Sequence, residues 1–209
     1  MWYSCLSKQL PEDVEIDGKK YGIRFGYRTM IAIEILMCSH VSDENKMEQS
    51  LNLFYGNDIP ENINEAINKL LWFHSCGEES VQEKERGNKP KRQQKRAYDF
   101  QQDDEMIYAA FMQQYGINLH RISSNELHWW EFSALFGNLS DDTKMAKVMY
   151  WRTCDLSGMS KAEQRYIKKM RSIFAIKEDV SLDVQTKLAQ RNADMVGYIR
   201  RRYKECAIE

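Results

Sequence analysis

Apolar positions along the chain alternate in one early segment and afterwards recur at helical spacing. Val14-Glu15-Ile16 and Tyr21-Gly22-Ile23 alternate about an Asp17-Gly18 turn signal, which predicts a β-hairpin. Two registers compete. A two-residue turn pairs Val14 with Tyr21 and Glu15 with Lys20. A four-residue loop pairs Ile16 with Tyr21 and Val14 with Ile23, with all four apolar residues on one face. The second is the register expected, because one buried face fixes the pairing. A lone hairpin is marginal in water, so this one must lie against an apolar surface.

From Tyr27 the pattern turns helical. Met30, Ile31, Ile33, Ile35, Leu36 and Met37 predict a helix apolar over so much of its circumference that it is buried against several elements. Ser42-Asp43 opens a second helix through Met47, Leu51 and Phe54, with Gly56 placed to stop it. Pro60 introduces a third, carrying Ile63, Ile67, Leu70, Leu71 and Phe73, and Asn62 with Glu65 has capping spacing. After Cys76-Gly77 the pattern lapses. Residues 78–97 hold Val81 as their one large apolar side chain, beside Lys84, Arg86, Lys89, Lys91, Arg92, Lys95 and Arg96 and the breakers Gly87 and Pro90. Such a stretch buries too little surface to offset its ordering entropy and is expected to be a mobile linker.

Helical spacing resumes beyond it. Asp103, Asp104 and Glu105 stand where a helix dipole favours acids, ahead of Met106, Ile107, Ala110 and Phe111, with Gly116 as the stop. Ser123 and Glu126 have capping-box spacing before Leu127, Trp129, Trp130, Phe132, Leu135 and Phe136, and Gly137 ends that helix. Ser140-Asp141-Asp142 opens another through Met145, Val148, Met149 and Trp151. Ser160 with Glu163 caps a helix whose stripe is Ala162, Tyr166, Met170, Ile173 and Phe174. A last helix is expected from Leu182, with Leu188, Met195, Ile199 and Tyr203 on one side. The fold class expected is mainly α: an N-terminal β-hairpin packed on a multi-helix bundle of about seven to eight helices. Residues 1–77 form the hairpin and three-helix segment, 78–97 the charged linker and 98–209 the helical segment, and the two halves are free to pack as one domain.

Composition narrows the classes of function. A formal net charge of −1 supplies no global field toward nucleic acid or anionic membranes. Ten glycines and three prolines over 209 residues favour helices over a loop-rich β fold. Met1-Trp2-Tyr3-Ser4-Cys5 lacks the regions of a signal peptide, and no apolar run reaches the ~18–20 residues that span a bilayer. The protein is therefore expected to stay in the cytosol where it is made. Cys5, Cys38, Cys76, Cys154 and Cys206 are odd in number and scattered, which reads as reduced, packed thiols.

Catalytic signatures are missing from the sequence. There is no Gly-x-Gly-x-x-Gly, Walker lysine, serine-hydrolase elbow, His-Glu-x-x-His or EF-hand loop. His74 with Cys76, and His120 with His128, lack the multiple fixed spacings of a metal site. Asp99, Asp103 and Asp104 near Tyr98 imitate an acid/base cluster, but their place at a helix start accounts for them. The basic run from Lys89 to Arg96 could meet phosphates, yet no aromatic interleaves it for stacking, so nucleic acid is not the expected partner. Trp129-Trp130 is the most unusual local feature. Neighbouring helical positions point about 100° apart. Either one ring fills the core while the other packs an adjacent helix, or one ring lies at a protein interface.

Several motifs occur together in a characteristic order: Tyr98-Asp99-Phe100-Gln101-Gln102-Asp103, Ile107-Tyr108-Ala109-Ala110-Phe111, Gln113-Gln114-Tyr115-Gly116-Ile117, Leu127-His128-Trp129-Trp130-Glu131-Phe132, Ala134-Leu135-Phe136 and Leu139-Ser140-Asp141-Asp142-Thr143-Lys144. With Val14-Glu15-Ile16-Asp17-Gly18-Lys19 and Tyr27-Arg28-Thr29, they resemble the bacteriophage gene-product-fifteen family, over most of the chain between residues 11 and 175. These are proteins of long-tailed phages and prophages of Gram-positive bacteria, encoded close to the tail tape-measure protein. The resemblance implies a non-enzymatic tail assembly protein of the host bacterial cytoplasm, without a cofactor. Its expected role is that of a chaperone for the tape-measure protein, with self-association and contacts to other tail assembly proteins. The alternative is a structural component kept in the virion tail, and a weaker one a nucleic-acid-associated phage protein. No family catalytic residue carries over. Tyr98, Phe100, His128, Trp129 and Trp130 are the expected protein-binding residues.

Overall fold

A computed structural model of the protein describes residues 9–77 and 96–177. The chain divides into two compact units after Met149. Most of the expected linker (78–95) and the expected last helix lie outside the described residues.

Strands β1 (Asp13–Ile16) and β2 (Lys19–Gly22) form the antiparallel hairpin, with Val14 opposite Tyr21 and Glu15 opposite Lys20. The turn is thus the two-residue Asp17-Gly18, and the four-residue loop expected from the sequence is corrected. Both registers differ by two residues, so both leave Val14, Ile16, Tyr21 and Ile23 on the same face, and burial cannot choose between them. The turn chooses. Asp17 and Gly18 have φ of 51° and 77°, the positive pair that a type I′ turn needs and that aspartate and glycine tolerate. All four apolar residues are buried.

Seven α-helices follow among the described residues. In α1 (Tyr27–Cys38), Tyr27, Met30 and Ile33 are buried, while Met37 at the far end is exposed. The helix meets several elements, fully burying this stripe and packing Ile31 and Ile35 partly buried against the same core. Helix α2 (Asp43–Tyr55) stops at Gly56, whose φ is 70°. Helix α3 (Ile63–His74) starts as expected, with Asn62 Oδ1 accepting from the Glu65 N–H at 3.2 Å. Helix α4 (Asp104–Tyr115) ends on Gly116 in the left-handed conformation.

The start of α5 (Trp129–Gly137) differs from expectation. The Ser123–Glu126 capping box is formed, but it closes only a 3-10 turn over Ser124–Glu126. Leu127 then leaves the helical region, and His128 makes a second capping box with Glu131. Two boxes in series replace one because Gly26 pairs with His128 as an antiparallel bridge, holding the chain extended between them. Helix α6 (Lys144–Thr153) likewise begins later than Ser140, after Thr143 Oγ1 accepts from the Ala146 N–H at 3.2 Å.

In the second unit, α7 (Lys161–Ile173) has the expected Ser160–Glu163 capping box. Its inner face is corrected: Ile167 is buried, whereas Tyr166 and Ile173 of the expected stripe are 55% and 60% exposed. The helix is rotated because Arg171 turns inward. Its Nε donates to the Trp151 carbonyl at 2.8 Å and its Nη2 to the Cys154 carbonyl at 2.9 Å. A pattern of apolar letters cannot reveal an inward-facing arginine.

In the first unit one apolar core runs from Val14 and Ile16 through Phe54 and Phe73 to Phe111, Phe132 and Met145. It draws on residues from both sides of the linker.

Candidate protein-binding cleft and its aromatic floor

Helix α5 belongs to the first unit and buries Trp129, Trp130, Phe132 and Phe136, while Glu131 and Ala134 stay exposed. Phe132 is its hub, stacked on Tyr27 at 5.3 Å, Phe111 at 5.0 Å, Trp129 at 5.7 Å and Phe136 at 5.9 Å between ring centroids. Each such pair adds roughly 0.5–1.5 kcal/mol beyond area burial.

The two tryptophans are 4% and 2% exposed. Their N–H groups serve the end of α3: Trp129 Nε1 donates to the His74 carbonyl at 3.0 Å, and Trp130 Nε1 to the Phe73 carbonyl at 2.8 Å. The last carbonyls of a helix have no intrahelical partner, so the indoles act as its C-terminal caps. His128 is buried as well. Its Nδ1 accepts from the Trp130 backbone N–H at 3.0 Å, and its Nε2 lies 3.0 Å from the Pro11 carbonyl. An acceptor on one side and a donor on the other assign the neutral Nε2–H tautomer. Burial holds its pKa below the ordinary value. Tyr98 is half-buried, and its hydroxyl lies 3.5 Å from Glu34 Oε1, which also contacts His74 Nε2 at 3.0 Å. Its pKa is pushed up to about 12 by burial first and by the Glu34 charge second.

The expectation of an interface formed by these rings is therefore corrected for the tryptophans and His128. All three are sealed in the core by hydrogen bonds as well as by packing, and they offer no face to a partner. The acidic cluster has a local role: Asp103 accepts from the Asp99 N–H at 2.9 Å, and Asp99 Oδ1 from the Gln101 and Gln102 N–H groups.

The accessible feature lies beside the core. An open cleft of about 290 Å³ is bounded by α1, α4 and Leu119-His120. Tyr27, Ile31, Phe100, Ile107 and Phe132 form its apolar floor, and Arg28, Asp104, Glu105, Tyr108, Leu119 and His120 its rim. Of the five expected binding residues, Phe100 alone lines it. Arg28 is committed to the adjoining segment: its Nη2 donates to the carbonyls of Leu119 at 2.7 Å and Ile122 at 3.3 Å, and its Nε to the Tyr27 hydroxyl at 3.0 Å. Tyr108 and His120 meet across the mouth with centroids 4.6 Å apart. Sequence reasoning missed Arg28, Ile31, Asp104, Glu105 and His120 as a group, because they come from three segments far apart in the chain.

Among the described residues no three His, Cys, Asp or Glu side chains are grouped to hold a metal ion. None of the described helices is long and apolar enough to cross a membrane. Cys38 is exposed, and Cys76 and Cys154 are half-buried.

A family model described as Bacteriophage Gp15 protein matches residues 6–176. The chain belongs to this family. No curated protein and no solved structure matches it. The Gp15 match takes in the whole cleft, from Tyr27 to Phe132, together with the twin-tryptophan caps. It also crosses the boundary between the two units.

Proposed function

We propose that this phage protein is a non-catalytic tail assembly chaperone that binds the tail tape-measure protein in the host bacterial cytoplasm. Family membership supports a phage role. The observation that carries the finer reading is the open cleft, whose floor is continuous with an aromatic core. A long helical client with exposed apolar stripes aggregates unless covered, and an apolar groove on a helical partner accepts such stripes without any bond being made or broken. Weak self-association would place several copies along one client and raise the avidity of each. Exposed Ile63 and Leu71, eight residues apart on α3, are apolar positions open to such contacts.

Co-expression with a tail tape-measure protein of the same phage tests the reading. The expected result is a soluble complex on a sizing column and a gain in client solubility. If the client stays insoluble and the two proteins elute apart, the reading fails. Mass spectrometry of purified virions then separates chaperone from structural component: a chaperone is absent or present only in trace.

A further inference from the structure

The cleft between α1 and α4 carries a more specific assignment, which rests on the chaperone reading for its biological partner but not for its chemistry. We infer that it seats one large apolar side chain of a foreign polypeptide with a lysine or arginine beside it, the cation held by Asp104 and Glu105.

Three observations converge on that occupant. The first is size. At about 290 Å³ the cleft lies at the lower end of small-molecule sites, which suits a single side chain better than a nucleotide or an extended cofactor. The second is the lining: half-buried Ile31 and Leu119 offer carbon, backed by the buried Ile107 and Phe132, with no charged side chain among these four. The third is charge. Asp104 and Glu105 are both exposed, and neither carboxylate has a cationic partner among the described residues. The one arginine on the rim is turned to the carbonyls of Leu119 and Ile122. An anion entering here would meet two carboxylates and a guanidinium already engaged. A cation would meet two exposed carboxylates beside an apolar slot, with Asp104 Oδ1 also accepting from the Glu105 N–H at 2.7 Å. On a helical client this corresponds to an apolar residue with a basic one three or four positions away.

The test uses the full chain and two probes that share a phenyl ring, 2-phenylethylamine (cationic) and 2-phenylethanol (neutral). Methyl NMR of Ile31 and Ile107 reads occupancy. The amine is expected to shift both methyls saturably and to bind two- to fivefold more tightly than the alcohol, about what an exposed ion pair contributes. The preference should vanish in Asp104→Asn/Glu105→Gln, with the rest of the spectrum unchanged. Absence of shifts at Ile31 and Ile107, or equal affinity for amine and alcohol, overturns the assignment. A second arm repeats the tape-measure co-purification with Asp104→Lys/Glu105→Lys. If the native chain forms a complex that this charge reversal leaves intact, the cleft assignment falls and the chaperone reading survives. If the native chain forms no complex while the amine binds as expected, the chaperone reading falls and the cleft assignment survives.

Discussion

Trp130 donates its indole N–H to the carbonyl of Phe73 at 2.8 Å, across 57 positions of sequence. Trp129 does the same to His74, so two adjacent residues of α5 close the open end of α3. That arrangement explains how neighbours pointing about 100° apart are both buried. Each ring has its own carbonyl and its own packing partners: Trp129 stacks on His74, and Trp130 meets Trp72 and Phe73.

A stability cost follows for Trp130. Trp130→Phe keeps most of the ring volume and removes the donor to Phe73, which retains its bond from the Cys76 N–H at 3.1 Å. A loss of about 1 kcal/mol is expected from the hydrogen bond, with more from the vacated space. Trp130→Ala should cost roughly 3–5 kcal/mol. Leu71→Ala, at a side chain 53% exposed, should cost well under ~1 kcal/mol. Urea denaturation of the three variants checks the order, and a Trp130→Ala protein as stable as Leu71→Ala would place the indole outside the core.

The junction between hairpin and bundle makes a second prediction. A Cβ on Gly26 would lie 2.3 Å from the Ser124 carbonyl oxygen and 2.4 Å from its Oγ. Backbone on one side and backbone on the other leave little room to yield, and Gly26 also bridges to His128. Gly26→Ala is expected to destabilise by roughly 1–3 kcal/mol or more, as overpacking does. Gly22→Ala is the control, because nothing lies within 4 Å of its added methyl. Comparable midpoints for the two variants in chemical denaturation would refute the close approach.

These two sites also show what could be read from the letters. The helices followed from spacing and caps, since Asn62, Gly56, Gly116 and Ser160 act locally, within a turn of where they stand. The hairpin register did not, because a shift of two residues preserves every face and only the φ preferences of Asp17 and Gly18 break the tie. The place of Trp129 and Trp130 was hidden for another reason. Their partners are carbonyls at the end of a helix on the far side of the linker, and a backbone acceptor carries no residue identity. The cleft was half legible: Tyr27-Arg28 and Ile107-Tyr108 stand inside the family-like motifs, but nothing local joins them to Leu119 and His120.

The second unit depends on Arg171. Its guanidinium joins α7 to the carbonyls of Trp151 and Cys154, and Trp151 stacks on Phe174 at 5.5 Å within the same unit. A lysine has one compact head and cannot reproduce the fork. Arg171→Lys is expected to cost about 1–2 kcal/mol locally, which corresponds to roughly a tenfold or greater rise in amide exchange along α7. Exchange in the hairpin should not change. Equal protection of α7 in the two proteins would mean the fork is dispensable.

His128 links stability to pH. Burial is the largest influence on the ring and lowers its pKa from 6.5, against smaller upward pulls from the Pro11 carbonyl and from Glu131 and Glu12. Protonation would also put a second N–H on Nδ1, facing the Trp130 N–H that now donates to it. The folded state therefore binds this proton less readily than the unfolded chain does. Between the unfolded value of 6.5 and the lower folded one, the unfolded state holds more protons, so stability rises with pH. The contribution is complete above the unfolded value and is lost as the pH falls through the window below it. His128→Asn keeps a side chain able to cap Trp130 but does not titrate. Unfolding free energies of both proteins, measured from about pH 8 down to about pH 5, should diverge at the alkaline end and converge toward the acid end. If the difference between the two curves is flat across that range, His128 is not the group that responds.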